Sequence, residues 1–165
     1  MKDFQVPTRP VWVEVFLADG RNLSGRMFLV EDPRVDENTD LLLRTLNDPR
    51  EFIPFEVSDQ RSARGLVLNK DHIVRVRLTA DMEAARESPD VPDSGRVLDM
   101  AAAPAEETAI LTLSDGSRIS GQVAVQTPDS LSRPVDKLNN ALRFLPVVHD
   151  DGVDIVQRCH VTTLD

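Results

Sequence analysis

An internal repeat constrains the fold of this chain more than any other feature of its sequence. Residues 13–25 align with residues 109–121, and each segment contains Asp-Gly followed by a second glycine. Two more blocks recur in the same order. The first is Leu-Asn-x4-Phe-x-Pro (46–54 and 138–146), and the second ends in His72-Ile73 in one copy and in His160-Val161 in the other. Repeats of this kind indicate copies of one structural unit. The sequence therefore predicts a tandem duplication.

The repeat divides the chain into three parts. Residues 1–78 form the first copy, residues 79–106 form a linker, and residues 107–165 form the second copy. The linker is rich in Ala, Pro, Asp and Glu, and a composition of this kind is typical of connecting segments. It holds 2 basic and 7 acidic residues, so much of the net charge of −9 lies outside the two copies.

Each copy begins with a predicted β-hairpin. Apolar and polar residues alternate on both sides of Asp19-Gly20 and of Asp115-Gly116, and Asp-Gly between alternating strands is a strong hairpin signal. The second glycines, Gly25 and Gly121, fall on the predicted inward face. A glycine there permits a sharp bend or a close backbone approach.

The middle of each copy predicts a helical turn, at residues 40–47 and 134–139, with Thr39 and Ser132 as N-caps. The apolar run at 41–43 is also compatible with a strand. Pro54 lies in a predicted strand, and proline favours an edge strand or a bulge. Closing hairpins complete both copies. The predicted fold class is mainly β, with two tandem small five-stranded, strongly bent barrels and a short helical turn in each.

This pattern resembles the Sm-like and SH3-like small β-barrels. Asp19-Gly20 with Gly25, and Asp115-Gly116 with Gly121, are similar to the opening hairpin and second-strand glycine of the Sm-like family. The resemblance implies a small barrel that binds nucleic acid. The later Arg-Gly or Lys-Gly signature of that family does not occur near Lys70. The pattern also resembles an uncharacterised bacterial duplicated domain, from which no activity follows.

Structural roles explain the His, Cys, Asp and Asn residues that could otherwise act in catalysis or metal binding. His72 and His160 occupy equivalent positions and suggest a metal-binding or acid–base pair, but a strand-entry role is favoured because no third equivalent ligand accompanies them. Cys159 precedes His160, and adjacent strand residues point to opposite faces. Asp19 and Asp115 are explained by their turns, and Asn47 and Asn139 by capping or turn contacts. We therefore expect no enzyme activity, no cofactor and no metal site.

Candidate partner-binding residues fall into an aromatic set and a basic pair. Trp12, Phe16 and Phe28 alternate onto the outer face of the first hairpin, and such a face needs a cover from the second copy, a second chain or a partner. Arg75 and Arg77 lie on one face of the closing strand. They suggest a phosphate-binding stripe, although a solvated outer face is favoured.

The sequence thus predicts a non-enzymatic binding or scaffolding module that contacts proteins or associates with itself, through sheet edges or the aromatic face. The alternative is an Sm-like nucleic-acid-binding protein, which the acidic balance of the second copy disfavours. One cysteine and the lack of an apolar leader predict a cytoplasmic protein. Charges interrupt every apolar run, so no membrane association is expected.

Overall fold

The computed structural model describes residues 7–35, 37–58, 63–79, 108–124 and 133–165. Ten strands form one open antiparallel sheet in the order β10-β6-β7-β8-β9-β5-β1-β2-β3-β4. The strands are β1 (Thr8–Leu17), β2 (Asn22–Val30), β3 (Phe52–Ser58), β4 (Ala63–Asn69), β5 (Ile73–Leu78), β6 (Ala109–Leu113), β7 (Arg118–Val123), β8 (Phe144–His149), β9 (Gly152–Gln157) and β10 (Val161–Leu164). The described residues also contain two α-helices, α1 (Asn38–Asn47) and α2 (Pro134–Asn140). The mainly β prediction is confirmed, and the division into two separate barrels stays a prediction.

The same order of elements occurs twice along the chain. We call β1–β5 with α1 the first unit, and β6–β10 with α2 the second unit. In each unit a helix lies between the second and third strands, and a short 3-10 turn joins the fourth strand to the fifth. The fifth strand pairs with the first in both units. The predicted linker lies outside the described residues beyond Thr79.

Both predicted Asp-Gly hairpins are confirmed. Gly20 has φ +86° and Gly116 has φ +83°, a backbone region that favours glycine. The Asp19 carboxylate accepts a hydrogen bond from the Arg21 backbone N–H at 3.0 Å. Asp115 accepts one from the Ser117 N–H at 2.9 Å, so both aspartates stabilise their turns.

The second glycine of each unit allows two strands to approach closely. A Cβ added at Gly25 would lie 2.0 Å from the Glu56 carbonyl oxygen, and one at Gly121 would lie 2.4 Å from that of Val148. These contacts connect β2 to β3 and β7 to β8. The predicted close backbone approach is therefore confirmed at both positions.

Two local predictions are wrong. Thr39 is not an N-cap, because α1 begins at Asn38 and Glu37 occupies the cap without a side-chain hydrogen bond; Ser132 lies outside the described residues. The strand containing Pro54 is not an edge, since β3 lies between β2 and β4, and its described pairings have no register shift that would mark a bulge. The β2–β3 ladder covers Phe55–Val57 of β3, so Pro54 lies beyond it and its missing N–H leaves that ladder intact.

The core has two parts, one in each unit. The first-unit core contains residues of β1, β2, β3, β5 and α1, and the second-unit core contains residues of β6, β7, β8 and β9. Lys70 is fully buried, and its ammonium donates to the Thr45 carbonyl at 2.8 Å and to the Asp48 carboxylate at 2.8 Å. Among the described residues, no helix has the length and apolar character needed to cross a membrane.

Candidate functional site

β5 and β9 join the two units edge to edge. Val76 of β5 lies opposite Ile155 of β9, and Arg77 lies opposite Asp154. β5 is the fifth strand of its unit, whereas β9 is the fourth strand of its unit. Unlike strands therefore meet, and this inner junction is a head-to-tail contact of the kind that can be extended by further units.

Apolar side chains cross the inner junction in both directions. Phe144 and Ile155 belong to the second unit, yet they pack in the first-unit core and each is 1% exposed. Val74 belongs to the first unit and packs in the second-unit core, where it is fully buried. Burying apolar surface is the main stabilising contribution in such contacts, so the junction is built like a protein interior.

Asn47, at the end of α1, binds the backbone of the other unit. Its amide nitrogen donates to the Phe144 carbonyl at 2.9 Å, and the Phe144 N–H donates to its side-chain oxygen at 2.8 Å. The same nitrogen donates to the Leu43 carbonyl at 3.0 Å within α1. This amide holds the first residue of β8 in place and satisfies both of its backbone groups.

A buried carboxylate locks the two edge strands together. Asp154 is fully buried, and it accepts hydrogen bonds from Arg75 at 3.0 Å and from Arg77 at 2.8 and 3.0 Å. His149 Nε2 lies 3.3 Å from the same carboxylate. Burial raises the pKa of Asp154. The Arg77 hydrogen bonds and the charges of Arg75, Arg77 and His149 lower it by a larger amount, so the net pKa lies below the ordinary value.

Arginines cover two of the predicted aromatic residues. The Arg75 guanidinium lies 3.7 Å from the centre of the Phe16 ring, and Arg26 lies 5.6 Å from the centre of the Trp12 ring. Arg26 also pairs with Glu56. Such cation–π contacts stabilise a ring that is left half-exposed.

The predicted partner-binding residues are thus placed in two ways. Phe16, Arg75 and Arg77 come together around Asp154 at the inner junction. Trp12 lies under Arg26, and Phe28 is half-buried opposite Pro10. The structure brings the first three together, and the partner-binding role of all five stays a prediction.

The chain also has two outer edges, β4 and β10, which have no further strand beside them among the described residues. The register relates β4 to β9: Val67 lies opposite Pro54, as Ile155 lies opposite Pro146. In the same way Phe52 corresponds to Phe144. Phe52 is 54% exposed and Val67 is 67% exposed, whereas their counterparts are buried. We call Phe52, Leu66 and Val67 with the outer side of β4 the β4 edge.

At the other end of the sheet, the second unit has an outer surface formed by α2 and β10. It corresponds to the surface of the first unit that receives Phe144 and Ile155. By the Leu-Asn repeat, Leu138 and Asn139 of α2 correspond to Leu46 and Asn47 of α1. Leu46 is fully buried beneath the inner junction, whereas Leu138 is half-buried and Asn139 is exposed. Val135, one helical turn earlier, is 46% exposed. We call α2 and β10 together the α2 edge.

Polar residues differ between the inner junction and the outer edges. Leu66 of β4 stands at the position of Asp154, and Thr163 and Asp165 stand at the positions of Arg75 and Arg77. The outer edges therefore lack the inner ion cluster. At the outer edges the charges are reversed. The basic residue, Arg64, is exposed on the fourth strand β4, and the acidic residue, Asp165, follows the fifth strand β10.

The two histidines at equivalent positions, His72 and His160, have different surroundings. His160 Nδ1 lies 2.7 Å from the Ser114 hydroxyl, and its Nε2 lies 2.9 Å from the Asp71 carbonyl oxygen across the inner junction. His72 and Cys159 are exposed. Within the part of the chain that the structure describes, no three His, Cys, Asp or Glu residues gather as metal ligands.

No family model matches this chain, and no curated protein or solved structure matches it either.

Sequence patterns point to some residues of the junction, such as Arg75 and Arg77, but not to Asp154, Phe144 or the exposed Phe52. One signal was present: the repeat conserves the apolar residues of the fourth strand but places Leu66 where the second copy has Asp154. A charge that appears in one copy at an otherwise apolar strand position indicates a different neighbour for that strand.

Proposed function

We propose that the chain is a non-enzymatic binding or scaffolding module that acts in protein–protein contact, with the β4 edge as its main interaction surface. We also propose that each five-stranded unit is a small, strongly bent barrel of the Sm-like or SH3-like kind. The repeated strand order and the close approaches at Gly25 and Gly121 support that reading.

One observation carries the proposal. Val67 on the outer strand β4 and Phe52 at the start of the adjacent strand β3 are more than half exposed, while the residues at the same register positions in the other unit, Ile155 and Phe144, are buried. Exposed apolar residues beside unpaired backbone groups form a template for an added strand. In this mode of recognition main-chain hydrogen bonds supply affinity and the flanking apolar pockets supply specificity.

The charged residues of the described segments support a binding role without catalysis. Asp154 is neutralised by two arginines, and Lys70 pairs with the Asp48 carboxylate and donates to two carbonyl groups. Both clusters connect strands or helices of the fold. Groups committed to such structural pairs are poor candidates for proton transfer to a substrate.

The alternative of an Sm-like nucleic-acid-binding protein has less support. The two arginines that suggested a phosphate-binding stripe direct hydrogen bonds to Asp154, and Arg75 also stacks on Phe16. Their positive charge is therefore partly neutralised, whereas a surface that binds the phosphate backbone of a nucleic acid needs several unneutralised cations.

Site-specific photo-crosslinking tests the binding proposal. A photoreactive amino acid replaces Val67 on the β4 edge, and in a matched control it replaces Ser120, an exposed residue of the inner strand β7. Irradiation in native lysate should give a protein adduct at position 67 and none at position 120, and β4 amides in that complex should exchange hydrogen more slowly. Equal labelling at both positions would overturn the proposal, and a nucleic-acid adduct would favour the alternative.

A further inference from the structure

We propose that the strand received by the β4 edge is β10 of a second copy of this chain, so that copies join head to tail as the two units join within one chain. This inference rests on the proposed binding role of the β4 edge, and it names the partner.

The inner junction supplies the geometry of the contact. There a fifth strand, β5, pairs with a fourth strand, β9. Each chain retains one fourth strand and one fifth strand at its outer edges, β4 and β10. If the inner register is repeated between copies, Leu164 lies opposite Val67 and Thr163 lies opposite Leu68. The backbone hydrogen-bonding groups of both outer edges are then satisfied in the same way.

Three of the exposed apolar residues lie at the two outer edges, where this contact would form. Five large apolar residues of the described segments are exposed: Val30, Phe52, Val67, Val135 and Leu142. Phe52 and Val67 lie on the β4 edge, and Val135 lies on α2 at the opposite edge. At the inner junction the counterparts of Phe52 and Val67, which are Phe144 and Ile155, pack in the same core as Leu46. Joining the two outer edges would bury Phe52 and Val67 against Leu138 of the next copy.

A backbone clamp is also available between copies. Asn47 binds both backbone groups of Phe144 at the inner junction. Asn139 occupies the same place in α2, and its exposed side chain would reach Phe52 of the next copy. The α2 edge therefore carries the amide donor and acceptor, Asn139, and the β4 edge carries the backbone groups that it would bind, those of Phe52.

Charge favours pairing of unlike outer edges. Asp165 would lie opposite Leu66 and diagonally across from Arg64, which shares the face of Leu66 on β4. Diagonal neighbours on adjacent strands lie within reach of a long side chain. Two β4 edges brought together would give Arg64 no acidic partner, because β4 contains no Asp or Glu. The contact between β4 and β10 is therefore favoured over a symmetric β4–β4 dimer.

A contact between unlike edges leaves the second edge of each copy available for a further copy. Such a contact builds a closed ring when the rotation between copies completes a circle, and an open filament when it does not. Both forms are head-to-tail assemblies, and both expose no unpaired edge in the interior of the assembly.

The test uses two variants of the full chain that each block one outer edge. Val67→Lys places a charge on the β4 edge, and V135K/N139K places charges on α2; all three positions are exposed, so folding should be retained. Val30→Lys is the matched control on the inner strand β2. Far-ultraviolet circular dichroism and the thermal midpoint verify the fold of each variant.

Sedimentation velocity from nanomolar to high micromolar concentration gives the readout. We expect the wild type and Val30→Lys to exceed the monomer mass of 18.4 kDa, and each edge variant to weaken association about 30-fold or more, as expected when an apolar anchor is lost. A mixture of the two edge variants should form one-to-one dimers and nothing larger, because each supplies the edge that the other lacks.

Three outcomes would overturn the inference. A wild type that stays monomeric throughout, association that survives Val67→Lys, or a mixture that stays monomeric would each contradict head-to-tail pairing. If the wild type is monomeric while position 67 still cross-links to a different protein, the inference fails and the proposed binding function stands. If position 67 gives no adduct with any protein, including a second copy, both fail.

Discussion

The fourth strands of the two units, β9 and β4, occupy corresponding positions but have different surroundings. β9 is covered by β5, and Ile155 is 1% exposed; β4 is an outer strand, and Val67 is 67% exposed. Both strands keep apolar residues at these positions, although one lies at the surface. The two strands differ in charge as well, because β9 carries a buried carboxylate, Asp154, that pairs with Arg75 and Arg77 of its neighbour β5.

The largest expected effects come from the phenylalanines at the start of the third strands. Phe144→Ala should lower the free energy of unfolding by about 3–5 kcal/mol, because a buried ring is removed from a packed core. Phe52→Ala should change it by less than about 0.5 kcal/mol in dilute solution, because that ring is exposed. Urea denaturation of both variants measures the contrast, and equal losses would show that the two edges have the same surroundings.

Removing the buried carboxylate should also be strongly destabilising. Asp154→Ala leaves Arg75, whose side chain is 12% exposed, without its counter-charge, and breaking such a buried pair costs about 3–5 kcal/mol. Asp151→Ala, a nearby exposed position, serves as the control and should have little effect. Chemical denaturation gives both values. A small loss in Asp154→Ala would mean that the ion cluster does not hold β5 to β9.

The two asparagines at the helix ends should differ by a smaller amount. Asn47→Ala leaves the N–H and carbonyl of Phe144 without their partner, which costs about 1–3 kcal/mol for a buried group. Asn139→Ala should change the stability of the monomer by less than about 0.5 kcal/mol, since the side chain is exposed. Thermal unfolding at low protein concentration compares the two, and the reverse order would contradict the clamp at Phe144.

The pH dependence should be the most gradual effect. Asp154 and Asp48 both have a pKa lowered from 3.8, that of Asp48 to about 2, where hydrogen bonds from Arg50 and Lys70 outweigh the opposing effect of burial. A carboxyl whose pKa is lower in the folded state stabilises the fold above its unfolded pKa and loses that contribution as the pH falls. Stability should therefore decline from pH 4 towards pH 2.

Asp48→Asn and Asp154→Asn separate the two contributions to this acid dependence. Each variant should flatten the decline in unfolding free energy over the same pH window, since the titrating carboxylate is gone. Urea denaturation in a series of buffers provides the measurement. An unchanged pH profile in both variants would show that other carboxylates govern the acid sensitivity.

The sequence predicted local structure well where a single residue determines it. Gly20 and Gly116 set the turns, alternation set the strands beside them, and the second glycines marked the close approaches at Gly25 and Gly121. The order of the strands in the sheet was harder to predict from the sequence. Pro54 suggested an edge strand because the proline rule concerns one missing N–H, while the ladder that β3 shares with β2 simply ends before that residue.

The candidate site depended on pairing across the two units, which local patterns do not reveal. The repeat identified Asn47 and Asn139 as equivalent, but the binding of Asn47 to Phe144 spans the inner junction. The aromatic face was predicted to need a cover, and Arg75 and Arg26 provide part of it through their own stems and charges. Contacts between residues far apart in the chain follow from tertiary packing and not from periodicity.

The exchange of side chains at the inner junction has a consequence for folding. Val74 completes the second core, while Phe144 and Ile155 complete the first, so neither half of the chain contains all the residues of its own interior. The two halves should melt in one cooperative transition, and a chain cut between them should regain structure when the fragments are mixed. The β5–β9 ladder also joins residues far apart in sequence, which makes its closure a slow step in folding.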